Sequence, residues 1–233
     1  MAIRSVFKVS NSNKKYIDKI DIEFKWYSGF AISQKQKSIS ELHNNYKKKY
    51  KDDNILEISS KSQNELGVRL SAFNLLIRTK DNKTFSVESA FQSSKKFEFG
   101  GPYVDLLEKT SREAKKDPRL KNSGKLISFE FYKKTWPLEP KTLFYDWLYI
   151  RALYKYNDLA KEILKYDAFT DIEFNPEKSI NCQANSAALF VSLAKRNLLD
   201  EAMISISNYI RIITSIEYSN NQLGERQEQM RFF

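Results

Sequence analysis

Residues 84–97 concentrate the side chains of this chain that are best suited to chemistry. Glu88, Gln92 and Lys95 stand four and three residues apart, so they would share one face of a helix that begins after the cap residue Ser86. A carboxylate, an amide and an amine on one face can stabilise a developing positive charge and exchange protons. The same spacing also occurs on exposed helices with a loose acid–base pair, so spacing alone leaves both interpretations open.

A hairpin is predicted to position this helix. Residues 70–78 and 84–87 flank the turn signal at 80–83, so the second strand would lead directly into Glu88. Upstream, a short predicted strand at 55–58 runs into a polar loop at 59–67, and loops of this kind often line functional sites. We therefore expect the hairpin to orient the Glu88 helix.

Length and charge suggest a folded domain with an anionic partner. The chain has 233 residues and 41% hydrophobic content, which suits one domain with an added helical piece. Its formal net charge is +10 and its sequence pI is about 9.4. This balance favours nucleic acid as a partner, although a basic surface also serves solubility.

Composition excludes several classes of protein. Cys182 is the only cysteine and His43 the only histidine, which rules out an intrachain disulfide and a Cys–His zinc cluster. The 6 glycines form neither a phosphate-binding loop nor a dinucleotide-binding fingerprint. The opening residues do not resemble a signal peptide, and no apolar run is long enough to span a membrane. We expect a cytoplasmic protein without metal or cofactor.

Two basic groups are candidates for contact with phosphate. The first is Lys47–Lys51, at the end of a predicted polar helix over 34–51. The second contains arginines, whose forked donors match phosphate oxygens; it consists of Arg112, Lys115, Lys116, Arg119 and Lys121. The arginine-containing group is the better candidate, although both groups are also typical of a solvated helix face.

Other elements are predicted from their apolar spacing. Ile20 to Trp26 alternates apolar and polar residues, as a half-buried strand does. Trp136 precedes a long apolar helix but lies outside its stripe, which makes it a candidate for stacking on a base. An amphipathic C-terminal helix is expected from residues at helical spacing, namely Leu199, Met203, Ile206, Ile210 and Ile213.

The segment 87–95, Val-Glu-Ser-Ala-Phe-Gln-Ser-Ser-Lys, resembles the Glu-x-x-Phe/Tyr-Gln-x-x-Lys signature of the NADAR (YbiA-like) family of N-glycosidases. Further blocks at 56–74, 96–103, 136–142 and 174–184 resemble the branch that serves as antitoxin to DarT-type DNA ADP-ribosyltransferase toxins. The resemblance runs from about Ile20 to Met203. One departure lies in the late loop, where the wider family pairs an acid with a tryptophan and this chain has Asp171-Ile-Glu-Phe174.

The resemblance implies an α+β fold that is predominantly helical: a YbiA-like single domain with a small β-sheet or hairpin and an amphipathic C-terminal helix. The N-glycosidase domain would occupy 1–203, with its core at about 20–203. Residues 204–233 would form a helical extension and a frayed tail from Asn220.

The implied reaction removes ADP-ribose from guanine bases in single-stranded DNA and releases ADP-ribose, reversing the modification made by a DarT-type toxin. The implied catalytic residues are Glu88, Lys95 and Asp171. Lys95 would orient Glu88, contact the ribose or attack the anomeric carbon as an amine, and Lys61 is a rival amine. The residues expected to bind substrate are Lys61, Phe73, Asn74, Phe91, Gln92, Arg112, Trp136, Glu173 and Asn181.

Two other functions remain open from the sequence. A basic protein of this kind could bind ADP-ribosylated DNA, or the toxin itself, without cleaving anything. Alternatively, it could be an N-glycosidase for a free metabolite, as in NADAR relatives linked with riboflavin-pathway intermediates. The net charge favours DNA over a small neutral metabolite.

Overall fold

A computed structural model describes residues 1–175 and 180–215. Helices hold 43% and strands 19% of the chain, so the α+β class is confirmed, whereas the expectation of a predominantly helical protein is too strong. The helices are α1 Ile32–Lys47, α2 Glu65–Arg69, α3 Val87–Ser93, α4 Ser111–Lys116, α5 Arg119–Asn122, α6 Leu143–Tyr154, α7 Asn157–Ile163, α8 Gln183–Lys195 and α9 Leu199–Ile204, with a 3-10 helix at Val104–Glu108 and further helical residues at 206–215.

Within residues 1–175 and 180–215 the strands form three sheets, where the resemblance implied a small β-sheet or hairpin. They are β1 Ala2–Val9, β2 Ile17–Phe24, β3 Ile55–Glu57, β4 Leu76–Arg78, β5 Thr84–Ser86, β6 Lys95–Phe97, β7 Leu126–Phe131, β8 Lys134–Trp136 and β9 Ala168–Thr170. The largest sheet has the order β2-β1-β9-β3, with β3 and β9 parallel and the other pairs antiparallel. The remaining sheets are β4-β5 and β6-β7-β8.

Helices α6 and α8 form the centre of the main core. In α8 the small side chains of Ala184, Ala187 and Ala188 are fully buried, which lets the helix approach its neighbours closely. On the largest sheet, α1 contributes Leu42 and Tyr46 to a second, smaller core, as the apolar stripe of the predicted polar helix requires. These two cores hold the ends of β3 and β9 in a fixed place.

The predicted hairpin is confirmed, and it delivers α3 into the core. Strands β4 and β5 pair antiparallel, and the Ser86 hydroxyl accepts a hydrogen bond from the Ser89 amide at 3.0 Å, which caps the helix. All seven residues of α3 are buried. However, α3 ends at Ser93, so the expectation that Lys95 belongs to the same helix is wrong: Lys95 begins β6.

The predicted C-terminal stripe is interrupted. Helix α9 ends at Ile204, the next residue Ser205 has an extended backbone with φ −151° and ψ 160°, and helical residues resume at 206. In the second piece Tyr209 and Ile212 are the buried residues, while Ile206 and Ile210 are only partly buried. The chain therefore does not form one continuous amphipathic helix here. The tail from Asn220 lies outside the described residues, and the division after Met203 stays a prediction.

Among the helices of residues 1–175 and 180–215, none combines the length and the apolar character needed to cross a bilayer.

Candidate active site

Glu88 is a buried carboxylate held by an amide and an amine. It lies in the first turn of α3 with 5% of its surface exposed. The Gln92 Nε2 atom donates a hydrogen bond to Glu88 Oε1 at 2.9 Å, as their spacing predicts. Lys115, which belongs to α4, places its Nζ 3.6 Å from the same oxygen. Burying a carboxylate is costly unless donors surround it, and Gln92 and Lys115 supply such donors.

Lys95 provides a partly desolvated amine that interacts electrostatically with Glu88. Its Nζ lies 4.9 Å from the centroid of the Phe91 ring, and burial lowers the pKa of this amine. The negative charge of Glu88 opposes that shift, while the positive charge of Lys115 adds to it. Lys95 and Glu88 therefore interact electrostatically although they belong to different elements, and Lys95 loses its proton more readily than an ordinary lysine.

Asp171 forms a second acidic centre with Glu57. Glu57 is 2% exposed; its Oε2 accepts from the Thr170 hydroxyl at 2.6 Å and its Oε1 from the Ile172 amide at 2.8 Å. Because these partners flank Asp171, Glu57 fixes the backbone that carries it. Burial and then the charge of Glu57 raise the pKa of Asp171 well above that of an ordinary carboxyl, and burial raises the pKa of Glu57. Two neighbouring carboxyls in a poorly hydrated site resist double ionisation, so this pair retains a proton near neutral pH.

Gln183 and Ala72 connect the two acidic centres. The Gln183 side-chain oxygen accepts from the Ala72 amide at 2.6 Å, and the Ala72 carbonyl accepts from the Glu88 amide at 2.9 Å. The Gln183 side chain also hydrogen-bonds Asp171, which leaves its NH₂ group as the donor. Glu88 and Asp171 are thus held at the two ends of one hydrogen-bonded path.

Tyr145 lies within the electrostatic reach of both acids. It is 6% exposed and packs edge-on against the Phe91 ring, with the centroids 5.0 Å apart. Burial raises the pKa of the Tyr145 hydroxyl, and the charges of Glu88, Cys182 and Asp171 raise it further, so Tyr145 keeps its proton. The site therefore combines three carboxyl groups, two amines, amides and a phenol.

Within the described ranges, no three side chains of His, Cys, Asp or Glu come together as metal ligands would.

A comparison with protein families places this site within a family match that covers nearly the whole chain. The family model described as the DarT1-associated NADAR antitoxin matches residues 2–223. This chain belongs to that family. No curated protein is similar enough in sequence to this chain to count as a match.

Several residues expected to bind substrate in this NADAR protein line an open depression next to Glu88. Phe73, Asn74 and Arg112 border a space of about 400 Å³. Lys115 Nζ lies 5.3 Å from the centroid of the Phe73 ring, so the lysine that pairs with Glu88 also contacts a residue that lines the depression. Both Asn74 and Arg112 are exposed. The depression and the carboxylate thus adjoin each other.

Other expected residues lie elsewhere or play a different part. Phe91 is 6% exposed, and its ring makes a cation–π contact with the Lys95 amine. Glu173 pairs with Lys35 at 3.7 Å, its amide donating to Asp171 Oδ1 at 3.0 Å. Lys61 is half-buried in the loop after β3, and Asn181 is half-buried just before α8.

The expectation that Trp136 is poorly explained as a core residue is wrong. It ends β8 with 1% exposure, and its ring lies 4.7 Å from that of Trp147 and 5.4 Å from that of Phe144. A base cannot stack on a ring that is covered in this way. The Arg119 guanidinium is already engaged in ion pairs with both Asp105 and Asp117.

Sequence reasoning missed Glu57, Gln183 and Tyr145. One signal was available: Glu57 is an acid inside the short apolar strand β3, where burial of a charge needs a reason. Packing against it is tight, since a Cβ at Gly67 would lie 2.0 Å from the Glu57 carbonyl oxygen. Gln183 and Tyr145 carry no comparable local signal.

Proposed function

We propose that this protein is an ADP-ribosyl glycohydrolase that acts as an antitoxin. It cleaves the bond between the anomeric carbon of ADP-ribose and the exocyclic amine of guanine in DNA, reversing modification by a DarT-type toxin. The observation that carries the proposal is the buried Glu88 carboxylate, held by Gln92 beside the partly desolvated amine of Lys95. Membership in the DarT1-associated NADAR antitoxin family supports the choice of substrate.

The proposed reaction divides the work between two acids. As the carbon–nitrogen bond breaks, positive charge grows on the ribose carbon and the Glu88 carboxylate stabilises it. Glu88 then takes a proton from the attacking water, whose oxygen bonds to the carbon. Asp171, which retains a proton near neutral pH, gives it to the departing guanine nitrogen. The products are ADP-ribose and unmodified guanine.

Lys95 offers a covalent route to the same products. A neutral amine can attack the anomeric carbon, expel guanine and, after ring opening, form an imine that water later hydrolyses. The lowered pKa of Lys95 increases the fraction of this amine that is neutral. Lys61 remains the rival amine in this scheme.

The open depression suits the ADP part of the substrate. Phe73 offers a ring face, while Asn74 and Arg112 offer donors for hydroxyl and phosphate oxygens. The partners we infer are ADP-ribosylated single-stranded DNA, ADP-ribose as product and, through its modification of DNA, a DarT-type toxin. The place of action would be the cytoplasm, where that DNA is accessible.

The deciding experiment measures release of ADP-ribose from a single-stranded oligonucleotide carrying ADP-ribosylated guanine. Glu88→Gln should lower the rate by about a hundredfold or more, because it removes the charge but keeps the shape. Glu108→Gln changes an exposed acid of the 3-10 helix and is the matched control. A thymine-linked substrate should not be cleaved.

Each failure of this experiment has a distinct meaning. Tight binding without release would favour a non-catalytic binder of modified DNA. Neither binding nor release would favour a glycosidase for a free metabolite.

A further inference from the structure

Aromatic rings and cations alternate on the surface between β2 and α1. Residues 24–40 contain three lysines and no acidic residue. Lys35 Nζ lies 4.4 Å from the Trp26 ring centroid and Lys25 Nζ lies 5.0 Å from that of Tyr27. Lys37 Nζ lies 6.0 Å from the Tyr27 ring. We call this the β2–α1 surface, formed by Lys25, Trp26, Tyr27, Phe30, Lys35 and Lys37.

This surface exposes apolar area that the fold does not bury. Phe30 is fully exposed, and Ile32 next to it is 54% exposed. Single exposed apolar residues are ordinary, but here they join two partly exposed rings and three lysines in one place. Neither hydrophobic core contains Tyr27 or Phe30. A ligand that is both flat and anionic would suit such a surface.

The loop that carries these rings is anchored. The Tyr27 amide donates to the Ser38 hydroxyl at 2.9 Å, and Ser38 is fully buried in α1. Gly29 has φ +124°, a conformation that residues with a side chain rarely adopt, and it turns the chain back toward α1. The rings therefore project from a defined turn.

The surface reaches the candidate active site through one ion pair. Lys35 Nζ lies 3.7 Å from Glu173 Oε1, and the Glu173 amide donates to Asp171 Oδ1 at 3.0 Å. A chain bound along the β2–α1 surface would thus run toward Asp171. By contrast, Lys47 at the other end of α1 and Lys49 two residues beyond it form no ion pair among those described for residues 1–175 and 180–215.

We propose that the β2–α1 surface holds the single-stranded DNA next to the modified guanine, with bases stacked on Tyr27 and Phe30 and phosphates paired with Lys25 and Lys37. The inference rests on the proposed function for its direction toward the active site. Stacking on aromatic rings together with basic groups that follow the backbone is how proteins bind single strands without reading sequence. Duplex DNA, whose bases are already stacked, lacks free faces for Tyr27 and Phe30.

The test measures binding of an unmodified 12-nucleotide single strand by fluorescence anisotropy at low salt, which needs no bond cleavage. Tyr27→Ala/Phe30→Ala and Lys25→Glu/Lys37→Glu should each raise Kd about tenfold or more. Lys47→Glu/Lys49→Glu changes the net charge equally at the far end of α1 and should have a much smaller effect. Circular dichroism confirms that each variant is folded.

Failure of this proposal differs from failure of the proposed function. If the wild type binds the strand through these residues but releases no ADP-ribose, the proposed DNA-binding surface is supported and the proposed glycohydrolase activity is wrong. If the variants cleave the ADP-ribosylated 12-mer as well as the wild type does, the surface proposal is overturned while the activity stands. Equal losses in the Lys47/Lys49 control, or equal dependence on these residues for binding vesicles of anionic lipid, would also overturn it.

Discussion

Asp171 and Glu88 are joined through one side-chain amide and one peptide group. Gln183 bonds Asp171 and also accepts from the Ala72 amide at 2.6 Å, and the Ala72 carbonyl accepts from the Glu88 amide at 2.9 Å. Each acid is therefore positioned partly by the same residues, although 83 positions separate them in sequence. A change at Gln183 should disturb both.

Replacing Gln183 with leucine tests that connection. The Ala72 amide would lose its acceptor, so the free energy of unfolding should fall by about 1–3 kcal/mol. The rate constant kcat for ADP-ribose release should fall more than KM rises, because the acids lose alignment rather than substrate contact. Urea denaturation and steady-state kinetics measure the two effects. Unchanged kcat in a destabilised variant would show that the link is only structural.

Glu57→Gln should move the alkaline limb of the pH–rate profile to lower pH. The negative charge of Glu57 raises the pKa of Asp171, so removing that charge lets Asp171 lose its proton at lower pH. We expect a shift of about one pH unit. Glu173→Gln, a change at a more exposed acid, is the control and should shift the limb less. A purely structural role would lower the rate at every pH without moving the limb.

Trapping with borohydride tests the amine route. If Lys95 forms an imine with the sugar, reduction should leave a stable protein–ADP-ribose adduct on Lys95, found by mass spectrometry of peptides. Lys95→Met should abolish the adduct, whereas Lys61→Met should keep it. An adduct on Lys61 would reverse these assignments, and no adduct with either lysine present would favour direct attack by water.

Asp146→Asn should stabilise the protein at neutral pH. Asp146 is 4% exposed, the Ser186 hydroxyl donates to its Oδ1 at 2.5 Å, and burial raises its pKa to about 6. Between the unfolded pKa near 4 and this value, the folded protein holds a proton that the unfolded chain releases, so stability falls as pH rises.

The gain from Asp146→Asn should therefore be small at pH 4 and grow to at most about 3 kcal/mol above pH 6. Chemical denaturation at a series of pH values measures this difference. A gain that does not change with pH would show that the carboxyl does not titrate as described.

The sequence by itself determined what depends on near neighbours along the chain. The Ser86 cap, the start of α3, the hairpin that leads into it and the Glu88–Gln92 hydrogen bond all follow from spacing and local propensity. The family also followed from the sequence, because its motifs are ordered along most of the chain.

Only the tertiary structure decided which distant groups meet. Glu57 and Thr170 are 113 positions apart, yet parallel pairing of β3 with β9 places the acid beside Asp171. Lys95 approaches Glu88 from a strand, not from the helix that the spacing suggested. Trp136 is buried because Phe144 and Trp147 of α6 pack against its ring. Sheet register and core packing set these contacts, and neither leaves a periodic signal at a single position of the chain.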